Sequence, residues 1–94
     1  MGEIVFFDVE TTVPAGTGQR FWVLEFGAIV VCPRKLVETE SYCTLIRPND
    51  LSAVAAKRFS GITRDAVASA PRFEEVAERI FGILNGECLI QMSY

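Results

Sequence analysis

Four consecutive apolar residues, Ile4, Val5, Phe6 and Phe7, run directly into Asp8 and Glu10, and this junction limits the architectures open to the chain. The stretch Glu3 to Thr12 (EIVFFDVETT) reads as a buried central strand that carries two carboxylates at its C-terminal end. In an extended strand residues i and i+2 share a face, with Cα atoms roughly 7 Å apart. Asp8 and Glu10 therefore aim at one spot. Two negative charges on one face of a hydrophobic strand repel each other and lose hydration unless a cation sits beside them. Hard divalent cations such as Mg²⁺ take oxygen ligands, commonly one or two carboxylates completed by phosphate oxygens. The pattern points to a metal site for phosphate chemistry. The alternative at this level is a pair of acids that merely solvates the exit into a loop.

With 94 residues, half of them hydrophobic and 22% charged, the chain suits one small ordered domain or a piece of one. So high an apolar fraction fits a segment of a larger domain whose remainder covers some apolar surface. The net charge of −3 supplies no global basic field, which argues against a non-specific nucleic-acid coat protein. Basic residues are scattered; Lys57, Arg58 and Arg64 come nearest to a cluster and read as a solvated helix face. Cys32, Cys43 and Cys88 form no C-x-x-C pair, and their odd number suits reduced thiols. With no histidine and no thiolate cluster, zinc chemistry is disfavoured. No basic leader with a long apolar core and no membrane-length apolar run is present, so the expectation is an intracellular protein of cytoplasm or nucleus with no membrane partner.

Val13 to Arg20 holds Pro14, Gly16 and Gly18 and reads as a loop without the lysine and spacing of a phosphate-cradling motif. Phe21 to Cys32 is aromatic and β-branched and stops at Pro33, a second strand in which Gly27 suggests a bulge or a close backbone approach. Glu25, the one charge in that run, either faces Asp8 and Glu10 or points outward, and the outward reading is favoured. A third strand lies within Leu36 to Ile46, clearest from Ser41, before Arg47 and Pro48 break it. Ser52 to Phe59 predicts a short helix with Ser52 as N-cap, and Thr63 caps a second, Arg64 to Ser69. Pro71 to Asn85 carries the strongest helical pattern, with Phe73, Val76, Ala77, Ile80, Phe81 and Leu84 on one face and Pro71 at its start. Cys88 to Gln91 opens a fourth strand, placed parallel to an earlier one by the crossover helix.

The order β-β-β-α-β with Asp-x-Glu on the first strand resembles the ribonuclease H-like fold of the DEDD family of 3′-to-5′ exonucleases, histidine branch. Phe6-Phe7-Asp8-Val9-Glu10-Thr11-Thr12 is similar to that family's first motif, and Leu24-Glu25-Phe26-Gly27-Ala28 to its second strand. Thr44-Leu45-Ile46-Arg47-Pro48 and Gly61-Ile62-Thr63 are similar to its third strand and the turn after it, and the wording is especially similar to plant exonuclease-domain proteins. The resemblance implies an α/β fold with a mixed sheet, residues 1–94 forming the N-terminal part of the domain, truncated after the fourth strand. It also implies a catalytic and metal-holding role for Asp8 and Glu10, with Mg²⁺ or Mn²⁺ in a two-metal site that hydrolyses phosphodiesters to nucleoside 5′-monophosphates. Thr11 and Thr12 would lie beside the terminal nucleotide of a single-stranded DNA or RNA 3′ end.

The departures shape the functional expectation. The family's second motif, an aspartate shortly after the fourth strand, has no counterpart among Gln91, Met92, Ser93 and Tyr94, and the third motif with its histidine base is absent. The expectation is an exonuclease portion that is inactive alone. The alternative is a non-catalytic module that associates with itself or a relative through an unfinished sheet edge.

Overall fold

The computed structural model describes residues 3–12, 20–54 and 61–85, together with the backbone of residues 88–92. Strands β1 (Glu3–Thr11), β2 (Val23–Cys32) and β3 (Val37–Leu45) are followed by a 3₁₀ turn at Leu51–Ala53, helices α1 (Arg64–Ala68) and α2 (Phe73–Leu84), and strand β4 (Cys88–Met92). They build a four-stranded sheet of order β3-β2-β1-β4. β1 and β2, and β2 and β3, pair antiparallel, whereas β4 runs parallel to β1. A parallel neighbour requires a crossover, and α2 supplies it. The expected β-β-β-α-β order is therefore present, with β1 inside the sheet as its apolar run requires.

Alternation sorts each strand into two faces. On one, Val5 pairs with Val30, Phe7 with Ala28 and Val9 with Phe26. These side chains meet Val76, Ile80 and Ile83 of α2 and Ile46 in the main hydrophobic cluster. Full burial of a side chain of this size contributes about 1.5–3 kcal/mol, so the three α2 residues anchor a helix too short to persist alone. Arg79, on the flank of the same helix, pairs with Glu40 at 2.6 Å and lies over the Tyr42 ring. Both partners are substantially exposed, so this contact orients α2 over β3 more than it stabilises it.

The helix departs from its expected face in two respects. Its N-cap is Arg72, one residue after Pro71, and the Glu75 carboxylate closes the first turn by accepting the Arg72 N–H at 2.7 Å. Pro71 lies outside because its carbonyl is used elsewhere, accepting the Arg47 N–H at 2.8 Å. The buried stripe is Val76, Ile80 and Ile83, leaving Phe73 38% and Phe81 51% exposed. The apolar arc of α2 is wider than the strip the described sheet covers, and the two phenylalanines pack edge-on against each other instead.

A second cluster of Leu24, Val54, Ile62 and Val67, flanked by Leu45 and Leu51, joins the 3₁₀ turn and α1 to the sheet. Thr63 caps α1 as expected, accepting the Ala66 N–H, and Arg64 donates Nε–H to the Val54 carbonyl at 2.8 Å. The helix expected from Ser52 is not capped there. Asp50 is the cap, its carboxylate accepting both the N–H and the hydroxyl of Ser52, and backbone turns extended at Val54. Residues 55–60 of that expected helix, and Lys57 and Arg58 with them, lie outside the described residues.

Candidate active site at the end of the first strand

The face of the sheet turned away from α2 carries Phe6, Asp8 and Glu10 from β1, Glu25, Gly27 and Ile29 from β2, and Ser41 and Cys43 from β3. The register sets this grouping: Asp8 stands opposite Gly27, itself opposite Cys43, and Glu10 stands opposite Glu25. Asp8 is exposed and Glu10 half-buried, so the two carboxylates expected to share a face do so, at the C-terminal end of β1. Between the strands lies an open trough of about 530 Å³ with Phe6, Asp8, Glu25 and Cys43 in its lining.

A bulge shapes the end of this trough. The register shifts between Glu10 and Thr11, so that Glu10 faces Glu25 while Thr11 faces Val23, leaving Leu24 as the extra residue. The extra residue changes the phase of the strand. Val23 packs against the main core, and Leu24 turns into the second cluster with Leu45, where it is fully buried. Of that cluster, Leu45 stands opposite Glu25 in the register. Gly27, where the sequence suggested a bulge, pairs regularly, and a Cβ there would meet only Cys43 Sγ at an ordinary 3.9 Å. The shifts fall at Glu10/Thr11 and at Val30/Val31, where no glycine signals them.

Glu25 shares the face of Asp8 and Glu10. It stands opposite Glu10 in the register, which corrects the favoured reading that it points away from the two carboxylates. Its carboxylate lies 3.9 Å from Cys43 Sγ. Partial burial, then the neighbouring negative charge and the weak S–H contact, push the Cys43 thiol pKa up. Cys43 is thus held as a neutral thiol, without the thiolate character of a nucleophile. Cys32 and Cys43 are both free, as their spacing implied.

The exit of β1 is fastened in both directions. Thr12, 3% exposed, donates its N–H to the Trp22 carbonyl at 2.9 Å and accepts the Trp22 N–H on Oγ1 at 2.8 Å. The Thr12 hydroxyl is therefore turned into the fold, while Thr11 is half-buried beside it. Arg20 places its guanidinium 5.6 Å from the centre of the Trp22 ring. Periodicity could not reveal this clasp, which depends on two irregular segments meeting.

Asp8 and Glu10 are hard oxygen donors on one open face, and their chemistry fits a hydrated divalent cation shared with phosphate oxygens. No group of three or more His, Cys, Asp or Glu side chains among the described residues is arranged to hold a metal.

A mixed sheet with paired carboxylates at the C-terminal end of its first, interior strand has the architecture of the ribonuclease H-like fold. The chain belongs to the exonuclease family RNase_T, whose pattern matches residues 5–93. It is 62% identical over 86 residues to Protein NEN4 of Arabidopsis thaliana, covering 89% of this chain and 34% of that protein. It is 32% identical over 91 residues to DNA polymerase III subunit epsilon of Buchnera aphidicola, covering 93% and 39%. The nuclease domain of 3′hExo, a DEDDh family member solved bound to rAMP, shares the fold with a TM-score of 0.72 at 17% identity, over 98% of this chain and 52% of that one. The chain therefore spans about a third of the first of these relatives and about half of the solved domain. Divalent metal ions are general to this family.

Proposed function

We propose that this chain carries the first-motif part of a 3′-to-5′ exonuclease site, in which Asp8 and Glu10 hold Mg²⁺ or Mn²⁺ against the phosphates of a single-stranded DNA or RNA 3′ end. The observation that carries this reading is the shared, open face of the two carboxylates at the end of β1. Bound divalent cations would neutralise phosphate charge and supply an activated water for in-line displacement. Asp8, exposed, offers its carboxylate with little further desolvation. Glu10, half-buried and opposite Glu25, is the less hydrated of the two. The Thr12–Trp22 clasp holds the backbone just beyond Glu10, so the contribution of Thr11 and Thr12 to the terminal nucleotide is chiefly the position of that backbone.

The described residues supply two carboxylates of the four such a site uses, and the sequence holds no histidine to serve as base. The chain alone is accordingly proposed to be inactive. The test is Mn²⁺-dependent degradation of 3′-labelled single-stranded DNA and RNA by the chain and by its Asp8→Ala variant. Equal, background release is expected. Release by the wild type that the substitution abolishes would overturn the proposed inactivity.

A second reading is favoured by β4, which stands at the end of the strand order with a single partner, β1, among the described residues. An unpaired edge is a template for strand addition, so association through β4 with a second copy or a relative is proposed. Sedimentation that stays monomeric at all concentrations would refute self-association.

A further inference from the structure

A nucleic-acid strand whose 3′ end reaches Asp8 and Glu10 must leave them by some path, and the same end of the sheet carries a second feature. A groove of about 310 Å³ opens there, around the end of the sheet toward α2, walled by Phe21, Trp22 and Phe73. Phe21 is 59% exposed and Phe73 38%. Trp22 ties the groove to the carboxylates through its paired bonds to Thr12, two residues beyond Glu10.

Arginines gather around these rings. Arg20 lies over Trp22, and Arg47 lines the groove. Arg47 and Arg72 are brought side by side by an isolated parallel bridge, strengthened by the Arg47 N–H bond to Pro71. Three of the nine basic residues of a chain with net charge −3 thus meet at one end, although they are far apart in sequence. Guanidinium groups suit phosphate oxygens, and exposed aromatic faces stack bases with little regard to sequence. An apolar peptide would use the rings but leave the arginines without purpose; Glu74 on the rim and Glu75, whose carboxylate accepts the Arg72 N–H, are the acids that oppose a polyanion among the described residues.

We propose that this groove is a stacking subsite for a base of single-stranded nucleic acid upstream of the 3′ end, with Arg20, Arg47 and Arg72 holding the flanking phosphates. The proposal rests on the nuclease reading for its direction, while its binding chemistry is independent of the carboxylates.

Trp22 is the single tryptophan of the chain, so its fluorescence reports directly on the groove. The experiment is titration with oligodeoxythymidine in EDTA, where no cation at Asp8 and Glu10 is needed. Saturable quenching that weakens with salt is expected. The paired Phe21→Ala, Phe73→Ala variant, altered at two rings of the groove, should bind at least about ten-fold more weakly. Arg47→Ala should lower the salt slope by about one, and Glu74→Lys should tighten binding. Absent quenching, or quenching unchanged in both the paired variant and Arg47→Ala, would overturn the subsite. Because the assay excludes metal, its failure leaves the carboxylate site untouched, and failure of the carboxylate site leaves the quenching in place.

Discussion

Replacing Thr12 by valine isolates one hydrogen bond at the exit of β1. Valine matches threonine in shape, so the buried space is kept and only the hydroxyl is lost. The Trp22 N–H, which donates to Thr12 Oγ1 at 2.8 Å, would then point at a methyl group in a partly buried setting. Stranding a donor in this way costs about 1–3 kcal/mol, while the reverse bond from Thr12 N–H to the Trp22 carbonyl survives. Thr12→Ser is the control, because it keeps the acceptor and loses one methyl, worth about 0.8 kcal/mol. In a domain of this size 1 kcal/mol moves the melting temperature by about 4–8 °C, so the valine variant should melt about 4–24 °C below wild type. Melting followed by Trp22 emission and by circular dichroism reads the effect at the clasp and over the whole sheet. A valine variant as stable as the serine variant would refute the clasp as a determinant of this end of the strand.

Two further substitutions probe the opposite end of the sheet and the trough. Leu36, 82% exposed, ends the β2–β3 turn at φ 56°, a conformation that crowds a leucine Cβ against backbone. Leu36→Asn relieves that strain without losing packing and should raise stability by about 1 kcal/mol in urea titrations; a loss would show that leucine makes a contact there. Cys43, its thiol pKa raised by burial and by Glu25, should be alkylated appreciably only above the ordinary thiol range, and Glu25→Gln should shift that profile to lower pH in peptide-resolved mass spectrometry. The sign for stability follows: the folded state holds the proton more tightly, so the contribution is full below the ordinary thiol pKa and is lost as pH rises through the raised one.

The parts of this molecule that regular repetition encodes were readable in advance. The i, i+2 placement of Asp8 and Glu10 needs only strand alternation, and α2 and the Thr63 cap follow from helical spacing and side-chain chemistry. The irregular parts were not. The bulge opposite Glu10 has no glycine to announce it, and with it Leu24 leaves the main core for the second cluster. Phe73 and Phe81 fit the apolar period of α2, yet how much of that arc is covered depends on the width of the sheet beneath. Arg47 and Arg72 meet because two loop segments bridge, a contact between distant residues that local patterns cannot express. Asp50 displaced Ser52 as a cap because its carboxylate reaches two donors of the next turn at once.

The central claim is that Asp8 and Glu10 together receive a divalent cation. Electron paramagnetic resonance of free Mn²⁺ during titration with the chain measures this directly, against a variant carrying Asp8→Asn and Glu10→Gln. The account predicts weak, saturable loss of the free-ion signal with the wild type and none with the variant. Equal signals in the two titrations would contradict it.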